Sequence, residues 1–352
     1  MQDKYSLSIC IPSNRNLEES KRSISSAIGF CENTQSELVV SDNSGDKQKD
    51  ELWSKVPLSF LKFLPFDNKG SGTWIDNWYN GITNCSGKFV GIVSDDDLII
   101  DINSSEVEYK DINEEDLIGI KPAIPLWNKS TGIYKINNFN IDANTAKERI
   151  IQYYKNASGN NTTYYSFYRK SDLNDIFSLL LNHPTKGGYI DWAITISLVA
   201  TGKVLVDSSK MLIYRNTNWF GDAKYIENQA RGLYEQCNLK KNSFFYQRVF
   251  RAIDCFILIM RKNSRIATDE KIEAAEFVLN ENLTLFFKDF KDNIDKFEEH
   301  EKNEIKKINI ETNIETKLNY ILNILYNHMP SLKEDYEKFY KVSIGKNWGD
   351  FF

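Results

Sequence analysis

The sequence has few cysteines, few prolines and no long apolar segment. Its five cysteines are odd in number and scattered, without the spacing of a zinc or redox motif. That usage is typical of a protein in a reducing compartment. Residues 1–6 are polar and the next apolar stretch is short, so no secretory signal is predicted. No apolar run approaches the roughly 18–20 residues that a membrane span needs.

A strongly basic charge balance is also missing. The formal net charge of the 352 residues is −5, which leaves no basic footprint for nucleic acid, so no nucleic-acid partner is expected. The length suits about two domains. We expect a cytoplasmic protein, and peripheral attachment at the inner face of the cell membrane is left open.

Three adjacent carboxylates, Asp95, Asp96 and Asp97, follow the apolar run at residues 89–93. Carboxylates that lie so close repel one another, and burial raises their pKa values. A divalent cation relieves the repulsion, and Mg²⁺ typically rests on one or two carboxylates plus substrate phosphates. The triplet therefore indicates a metal and a diphosphate substrate, against the simpler interpretation of a solvated corner.

The first half of the chain alternates short apolar strands with helical segments. Strands are predicted at 6–11, where Pro12 ends the strand, and at 37–41, 58–64, 89–93, 117–124, 163–168 and 203–214. Helices are predicted at 17–30, 73–84, 146–154, 171–181 and from Asp191 to about residue 202. This order predicts an α/β fold with a mostly parallel sheet flanked by helices. Ligands of such sheets bind beyond the carboxyl ends of the strands, where Asp42 and the triplet fall.

Beyond about residue 222 the apolar spacing becomes helical. We therefore predict a first domain over residues 1–222 and a helical domain over residues 223–352. Residues 255–260, flanked by basic residues, suit either a membrane-docking face or a buried helix with basic ends, and we prefer the buried helix. The helices also leave packing on a second copy of the chain open.

The ordered motifs resemble the family 2 glycosyltransferases, which have the GT-A fold. The resemblance covers roughly residues 5–216. The motifs that carry it lie at residues 8–13, 39–44, 68–70, 76–78, 81–82, 87–90, 94–98, 189–192, 202–204 and 214–215. Each motif is weak alone, and their order and spacing make the resemblance specific.

The resemblance implies an inverting transfer of a sugar from a nucleotide-diphosphate sugar to a hydroxyl acceptor. The acceptor would be a glycan or a lipid-linked glycan, as in the synthesis of a surface polysaccharide. A divalent metal, Mn²⁺ or Mg²⁺, would neutralise the leaving diphosphate. A carboxylate would act as general base on the acceptor hydroxyl.

The resemblance also implies roles for individual residues, named here by position. Asp97 would bind the metal, and Asp95 or Asp96 would assist through metal or ribose contacts. Asp191, at a predicted helix start, would be the general base. The remaining assignments are Pro12, Ser13, Asp42 and Lys69 to the nucleotide donor, and Trp192 and His183 to the acceptor.

Several alternatives stay open at the level of sequence. Asp95 and Asp97 fit the Asp-x-Asp motif literally, whereas alignment from Gly87 favours Asp96 and Asp97. Asn14 and Arg15 replace the aromatic residue and Asn that the family often has after the first strand, and Ile190 replaces the usual Glu. A nucleotidyltransferase would carry a Gly-rich basic loop at residues 13–16, which this chain lacks. A scaffold protein that has kept the fold and lost turnover is the other alternative.

Overall fold

The computed structural model describes residues 5–65, 73–102, 116–240, 242–308 and 312–347, and only the backbone of Asn218. The strands are β1 (Tyr5–Ser13), β2 (Glu37–Asp42), β3 (Leu61–Pro65), β4 (Gly87–Ile92), β5 (Leu98–Asp101), β6 (Leu117–Asn128), β7 (Gly132–Asn137), β8 (Phe167–Arg169) and β9 (Lys203–Arg215). The helices are α1 (Leu17–Thr34), α2 (Lys47–Trp53), α3 (Trp74–Asn84), α4 (Ala146–Ala157), α5 (Lys170–Leu180), α6 (Asp191–Thr201), α7 (Ala223–Glu235), α8 (Gln247–Ile259), α9 (Thr268–Asp292), α10 (Glu299–Lys306), α11 (Ile314–His328) and α12 (Lys333–Ile344).

The chain divides into two compact units. The sheet unit comprises Met1–Asp142, Lys155–Ser178 and Gly202–Phe220, and the helical unit comprises Ala143–Tyr154, Leu179–Thr201 and Gly221–Phe352. The last passage of the chain into the helical unit lies close to residue 222. The predicted domain limits, 1–222 and 223–352, stay a prediction.

The sheet unit contains one mixed sheet in the order β3-β2-β1-β4-β8-β6-β9-β5, with β7 paired to β6. Strands β3, β2, β1 and β4 are parallel, as the alternation of strands and helices predicts. Strand β8 then runs antiparallel to both β4 and β6, whereas β6 and β9 are parallel. The predicted α/β fold class is confirmed, and the parallel part is the half of the sheet in which Asp42 and the triplet follow strands.

Strand β1 packs a helix on each of its two faces, because successive side chains of a strand point to opposite sides. One face contributes to a core with α1 that comprises Leu7, Ile9, Ile11, Ile24, Ala27 and Phe30. On the other face, Gly81 of α3 approaches Cys10 so closely that a Cβ there would lie 2.5 Å from the Cys10 sulfur. The glycine therefore sets how near α3 lies to the sheet.

Two local predictions were wrong, and each has a physical reason. Pro12 does not end β1, which continues to Ser13. The register with β4 ends at Cys10, so the missing N–H of Pro12 falls where that ladder has stopped. The segment 163–168 is a 3₁₀ turn followed by the short β8, because the Tyr168 hydroxyl donates to the Thr163 carbonyl at 2.6 Å and favours the turn.

The helical unit is organised around α8, which packs against α6, α9, α11 and α12. Its residues from Ala252 to Ile259 are all buried, and Met260 beyond them is 4 % exposed. The preference for a buried helix over a membrane-docking face at residues 255–260 is confirmed. Across the part of the chain that the structure describes, none of the helices combines the length and the apolar character needed to cross a membrane.

Candidate donor and acceptor sites

Ser13 stands where the ends of three neighbouring strands of the sheet unit meet. It follows Pro12 at the end of β1 and lies in register with Asp42 at the end of β2. Its hydroxyl donates to Asp95 Oδ2 at 2.7 Å and accepts from Lys49 Nζ at 2.5 Å. The predicted grouping of Asp42 and the acidic triplet at one edge of the sheet is thus realised through Ser13.

Asp95 holds the loop between β1 and α1. Besides the Ser13 hydroxyl, its Oδ2 accepts the backbone N–H groups of Asn14 at 3.1 Å and Arg15 at 3.0 Å. Its Oδ1 accepts from the Arg15 guanidinium. Both oxygens of this buried carboxylate are therefore engaged, and Asp95 acts here as an anchor of the loop.

Arg15 is the cation next to the triplet. Its guanidinium pairs with Asp95 and, at 3.0 Å, with Asp96 Oδ2, while a third of its side chain stays exposed. Burial by itself lowers the pKa of Arg15, but the carboxylates of Asp95 and Asp96 outweigh burial and raise that pKa. For Asp96 burial is the largest influence, and its pKa is raised.

Asp97 is the most deeply buried member of the triplet, at 1 % exposure. Its Oδ1 accepts the backbone N–H of Arg215 at 2.7 Å, whereas its Oδ2 has no hydrogen-bond partner among the described residues. Burial, and next the charge of Asp96, raise the pKa of Asp97 well above its ordinary value. A buried, unpartnered carboxylate oxygen is costly, so it calls for a reason such as an ion.

Lys49 is a buried cation that the sequence analysis did not single out. Its Nζ donates to Asp42 Oδ1, to the Ser13 hydroxyl and, at 2.9 Å, to the Arg15 carbonyl. The other oxygen of Asp42 accepts from Ser44 at 2.8 Å. Lys49 lies in the first turn of α2, and the signal that was available is the N-cap, Asp46, followed by helix-forming residues.

The residues at this edge offer only some of the ligands that a divalent metal needs. Within the described ranges, no group of three or more His, Cys, Asp and Glu side chains is placed to hold a metal ion. Mg²⁺ needs only one or two carboxylates when a diphosphate completes its coordination. Because the oxygens of Asp95 are engaged elsewhere, the arrangement favours Asp97 and Asp96 as the pair of ligands.

The remaining donor residue, Lys69, lies outside the described residues. The three other predicted residues belong to the helical unit. Asp191 is the first residue of α6, as predicted, and its Oδ1 accepts the N–H of Trp192 at 2.8 Å. The half-buried Trp192 ring packs 5.9 Å from that of Tyr153, and the guanidinium of Arg251 lies 4.7 Å from its centroid.

His183 is enclosed within the helical unit. Its Nε2 lies 3.0 Å from Asp254 Oδ1, and its Nδ1 accepts the backbone N–H groups of Thr185 and Lys186 at 3.2 and 3.1 Å. Since both ring nitrogens are engaged and the side chain is buried, the arrangement favours a role in holding the loop. A contact of His183 with the acceptor stays a prediction.

The fold is that of a GT-A-type glycosyltransferase, as structural comparison shows. A crystal structure of S. aureus TarS 1–349 matches 96 % of this chain and 90 % of its own with a TM-score of 0.51 and 16 % identity. The same protein in complex with UDP-GlcNAc matches 96 % of this chain and 87 % of its own, with a TM-score of 0.50 and 13 % identity. The complex of the same protein with UDP matches 96 % of this chain and 90 % of its own, with a TM-score of 0.50 and 14 % identity. No protein-family model matches the chain, and no curated protein matches it in sequence.

Proposed function

We propose that this chain is a metal-dependent, inverting glycosyltransferase that uses a nucleotide-diphosphate sugar. The observation that carries the proposal is the buried Oδ2 of Asp97, which has no hydrogen-bond partner among the described residues and lies beside the ends of the parallel strands. Ligands of such sheets bind at that edge. The UDP and UDP-GlcNAc complexes of TarS, which share the fold, support a uridine diphosphate sugar as the first donor to test.

The sheet unit would bind the donor. Pro12 and Ser13 shape the loop that meets the nucleotide, and Asp42 would accept a hydrogen bond from the base, since each carboxylate oxygen accepts more than one. Asp97, with Asp96, would hold a Mn²⁺ or Mg²⁺ ion, which when bound neutralises charge on the leaving diphosphate. Asp95 would keep the loop in place rather than bind the ion.

We propose Asp191 as the general base. Asp191 takes the proton of the acceptor hydroxyl as the hydroxyl oxygen bonds to the anomeric carbon and the bond from that carbon to the diphosphate breaks. Attack on the side opposite the leaving group inverts the configuration. The start of α6 stabilises the ionised carboxylate, which keeps it ready to accept a proton.

The acceptor side of the proposal rests on Trp192, whose partly exposed ring suits contact with a sugar. We propose a glycan or a lipid-linked glycan as acceptor, in the synthesis of a surface polysaccharide. A cytoplasmic location, peripheral contact with the inner face of the membrane and assembly with a second copy belong to the same proposal.

Thermal unfolding with a panel of nucleotides tests the donor site. UDP, UDP-sugars and other nucleotide sugars are added with Mn²⁺, Mg²⁺ or EDTA to the wild type, to Asp97→Ala and to the surface control Asp50→Ala. A ligand at a hundred times its dissociation constant adds about 2.7 kcal/mol to the free energy of unfolding. We expect metal-dependent stabilisation by one nucleotide class, lost only in Asp97→Ala. No response to any nucleotide would overturn the proposal in favour of a scaffold.

A further inference from the structure

Arg15 is held at the carboxyl edge of β1 by both of its backbone groups. Its N–H donates to Asp95 Oδ2 at 3.0 Å, and its carbonyl accepts from Lys49 Nζ at 2.9 Å. Asp95 is 3 % exposed and Lys49 is fully buried, so both anchors belong to the interior. The position of Arg15 is therefore set by the protein before any ligand binds.

The guanidinium has donors beyond those that it uses on the triplet. It carries five N–H groups in a planar fork. Its two terminal nitrogens face Asp95 and Asp96, one contact each, and 34 % of the side chain is exposed. A planar fork of this kind suits bidentate contact with phosphate oxygens, and a preorganised fork loses less entropy on binding.

Because of this pairing, the three carboxylates of the triplet have different partners. Arg15 and the loop amides engage Asp95, and Arg15 compensates part of the charge of Asp96. Asp97 is then the member of the triplet whose second oxygen has no partner among the described residues. A cation from the chain and an oxygen for a metal thus lie at one edge, which is what an anionic diphosphate requires.

We infer that Arg15 is a diphosphate-binding residue of the donor site, presented to the phosphates by its contacts with Asp95 and Asp96. This inference rests on the proposed donor site. It gives a function to Arg15, which stands where the family pattern often has Asn: this residue binds the phosphates.

The test compares a diphosphate with its nucleoside. Dissociation constants of UDP and uridine are measured by ligand-observed NMR, with Mg²⁺ and with EDTA, on the wild type and on Arg15→Gln, Arg15→Lys and Asp95→Asn. Arg22→Gln, an exposed arginine on α1, is the matched control. Thermal unfolding without ligand verifies that each variant is folded.

We expect Arg15→Gln to weaken UDP about tenfold or more, the loss of a charged hydrogen bond, and to leave uridine unchanged. Arg15→Lys should recover part of the loss, since the charge remains without the fork. Asp95→Asn, which loosens both the loop and the guanidinium of Arg15, should weaken both ligands, UDP more than uridine, and Arg22→Gln should weaken neither.

Two results would overturn the inference and leave the proposed donor site standing. One is equal weakening of UDP and uridine by Arg15→Gln, which would mean that Arg15 only holds the loop. The other is that Arg15→Gln weakens neither ligand. If the wild type binds neither UDP nor uridine and no other nucleotide of the panel stabilises it, the proposed donor site fails together with the inference; if another nucleoside diphosphate stabilises it, that diphosphate and its nucleoside take the place of UDP and uridine. The wild-type measurement therefore separates the two failures.

Discussion

The sheet unit and the helical unit both bury charged side chains, but they use them differently. In the sheet unit, Arg15, Asp95 and Asp96 meet at the ends of parallel strands, where the Arg15 side chain stays 34 % exposed. Beside them, one oxygen of the buried Asp97 has no partner within the described part of the chain. This group of charges is incomplete by itself, and it includes the partly exposed side chain of Arg15.

The corresponding group in the helical unit is closed. His328 Nδ1 lies 2.9 Å from Glu301 Oε1, and its Nε2 lies 3.1 Å from the Ser243 hydroxyl, which donates to the Lys240 carbonyl at 2.6 Å. The ring of Tyr246 stacks on that of His328 at 3.8 Å. Ser243, His328 and Glu301 are each at most 4 % exposed.

The difference shows how a functional cluster is told from a structural one. A serine, a histidine and a glutamate in contact have the residue types of a hydrolytic triad, but here the buried serine donates to the Lys240 carbonyl. Beside Asp97, the side chain of Arg15 stays partly exposed. That exposure, rather than residue types, distinguishes the site.

The largest effect is expected from Asp191→Asn. This variant tests whether the helical unit, whose group around His328 is closed, contains a functional residue. An amide cannot take the acceptor proton, so transfer should fall about 10²–10⁴-fold while UDP affinity stays unchanged. Steady-state kinetics measure the rate of transfer, and UDP titration measures the affinity. The control is Asp269→Asn, another Asp in the first turn of a helix. Transfer that survives in Asp191→Asn would show that another group is the base.

Lys49→Met tests how strongly the sheet unit depends on its buried charges. It leaves Asp42 as an uncompensated buried carboxylate, so the free energy of unfolding should fall by about 3–5 kcal/mol. Denaturant unfolding measures the loss, and the double variant Lys49→Met/Asp42→Asn should regain part of it. Lys55→Met, which breaks the exposed pair with Glu51, should cost only about 0–1 kcal/mol. Equal losses in the two lysine variants would refute the distinction.

Acid should affect the closed group of the helical unit through Glu301. Burial by itself raises the pKa of Glu301, but hydrogen bonds from His328 and the Glu298 amide outweigh burial and lower it to about 2. A depressed pKa stabilises the folded state above the unfolded-state value and loses that contribution as pH falls towards 2.

The variant Glu301→Gln should therefore lose about 3 kcal/mol of unfolding free energy at pH 6, and the difference from the wild type should shrink at pH 3. Denaturant unfolding at the two pH values is the measurement. Glu304→Gln, on the exposed side of α10, should show no such dependence. A difference from the wild type that is constant with pH would contradict a depressed pKa.

The smallest effect concerns the packing that positions the strands. Gly81→Ala should lower the free energy of unfolding by about 1–3 kcal/mol, because its Cβ would lie 2.5 Å from the Cys10 sulfur and 3.3 Å from the Ser41 Cβ. Gly29→Ala in α1 meets nothing within 4 Å and should raise it by up to about 1 kcal/mol through helix propensity. A rise in both variants would mean that helix propensity decides rather than packing.

Much of the fold was predictable because its signals are local. Thr73 and Asp76 form the capping box of α3, which begins where the sequence analysis placed it. The helical character of the chain beyond residue 222, which includes α8, was predicted from its apolar spacing. The segment 163–168 was misread because hydrogen bonds around Thr163 favoured a turn over the strand that its β-branched and aromatic residues suggest.

The candidate site was predictable only in part. Asp42 and Asp97 stood out because carboxylates that follow strands of a parallel sheet meet at one edge. Lys49 did not stand out, because nothing in the sequence indicates that this lysine, at the start of a charged helix, is buried. Asp95, predicted from its place in the motif to contact the metal or the ribose, has both oxygens engaged by the loop and by Arg15, and its contact with a metal stays a prediction.

The sequence by itself determined the class of fold, the parallel order of its first strands and the acidic edge, because periodicity and caps act over a few residues. Only the tertiary structure decided which partner each charge has. Arg15 and Asp95 are 80 residues apart in the chain, and Ser243 and His328 are 85 apart. Pairings over such distances depend on how sheets and helices pack, and that packing decides which charges are closed off and which remain open to a ligand.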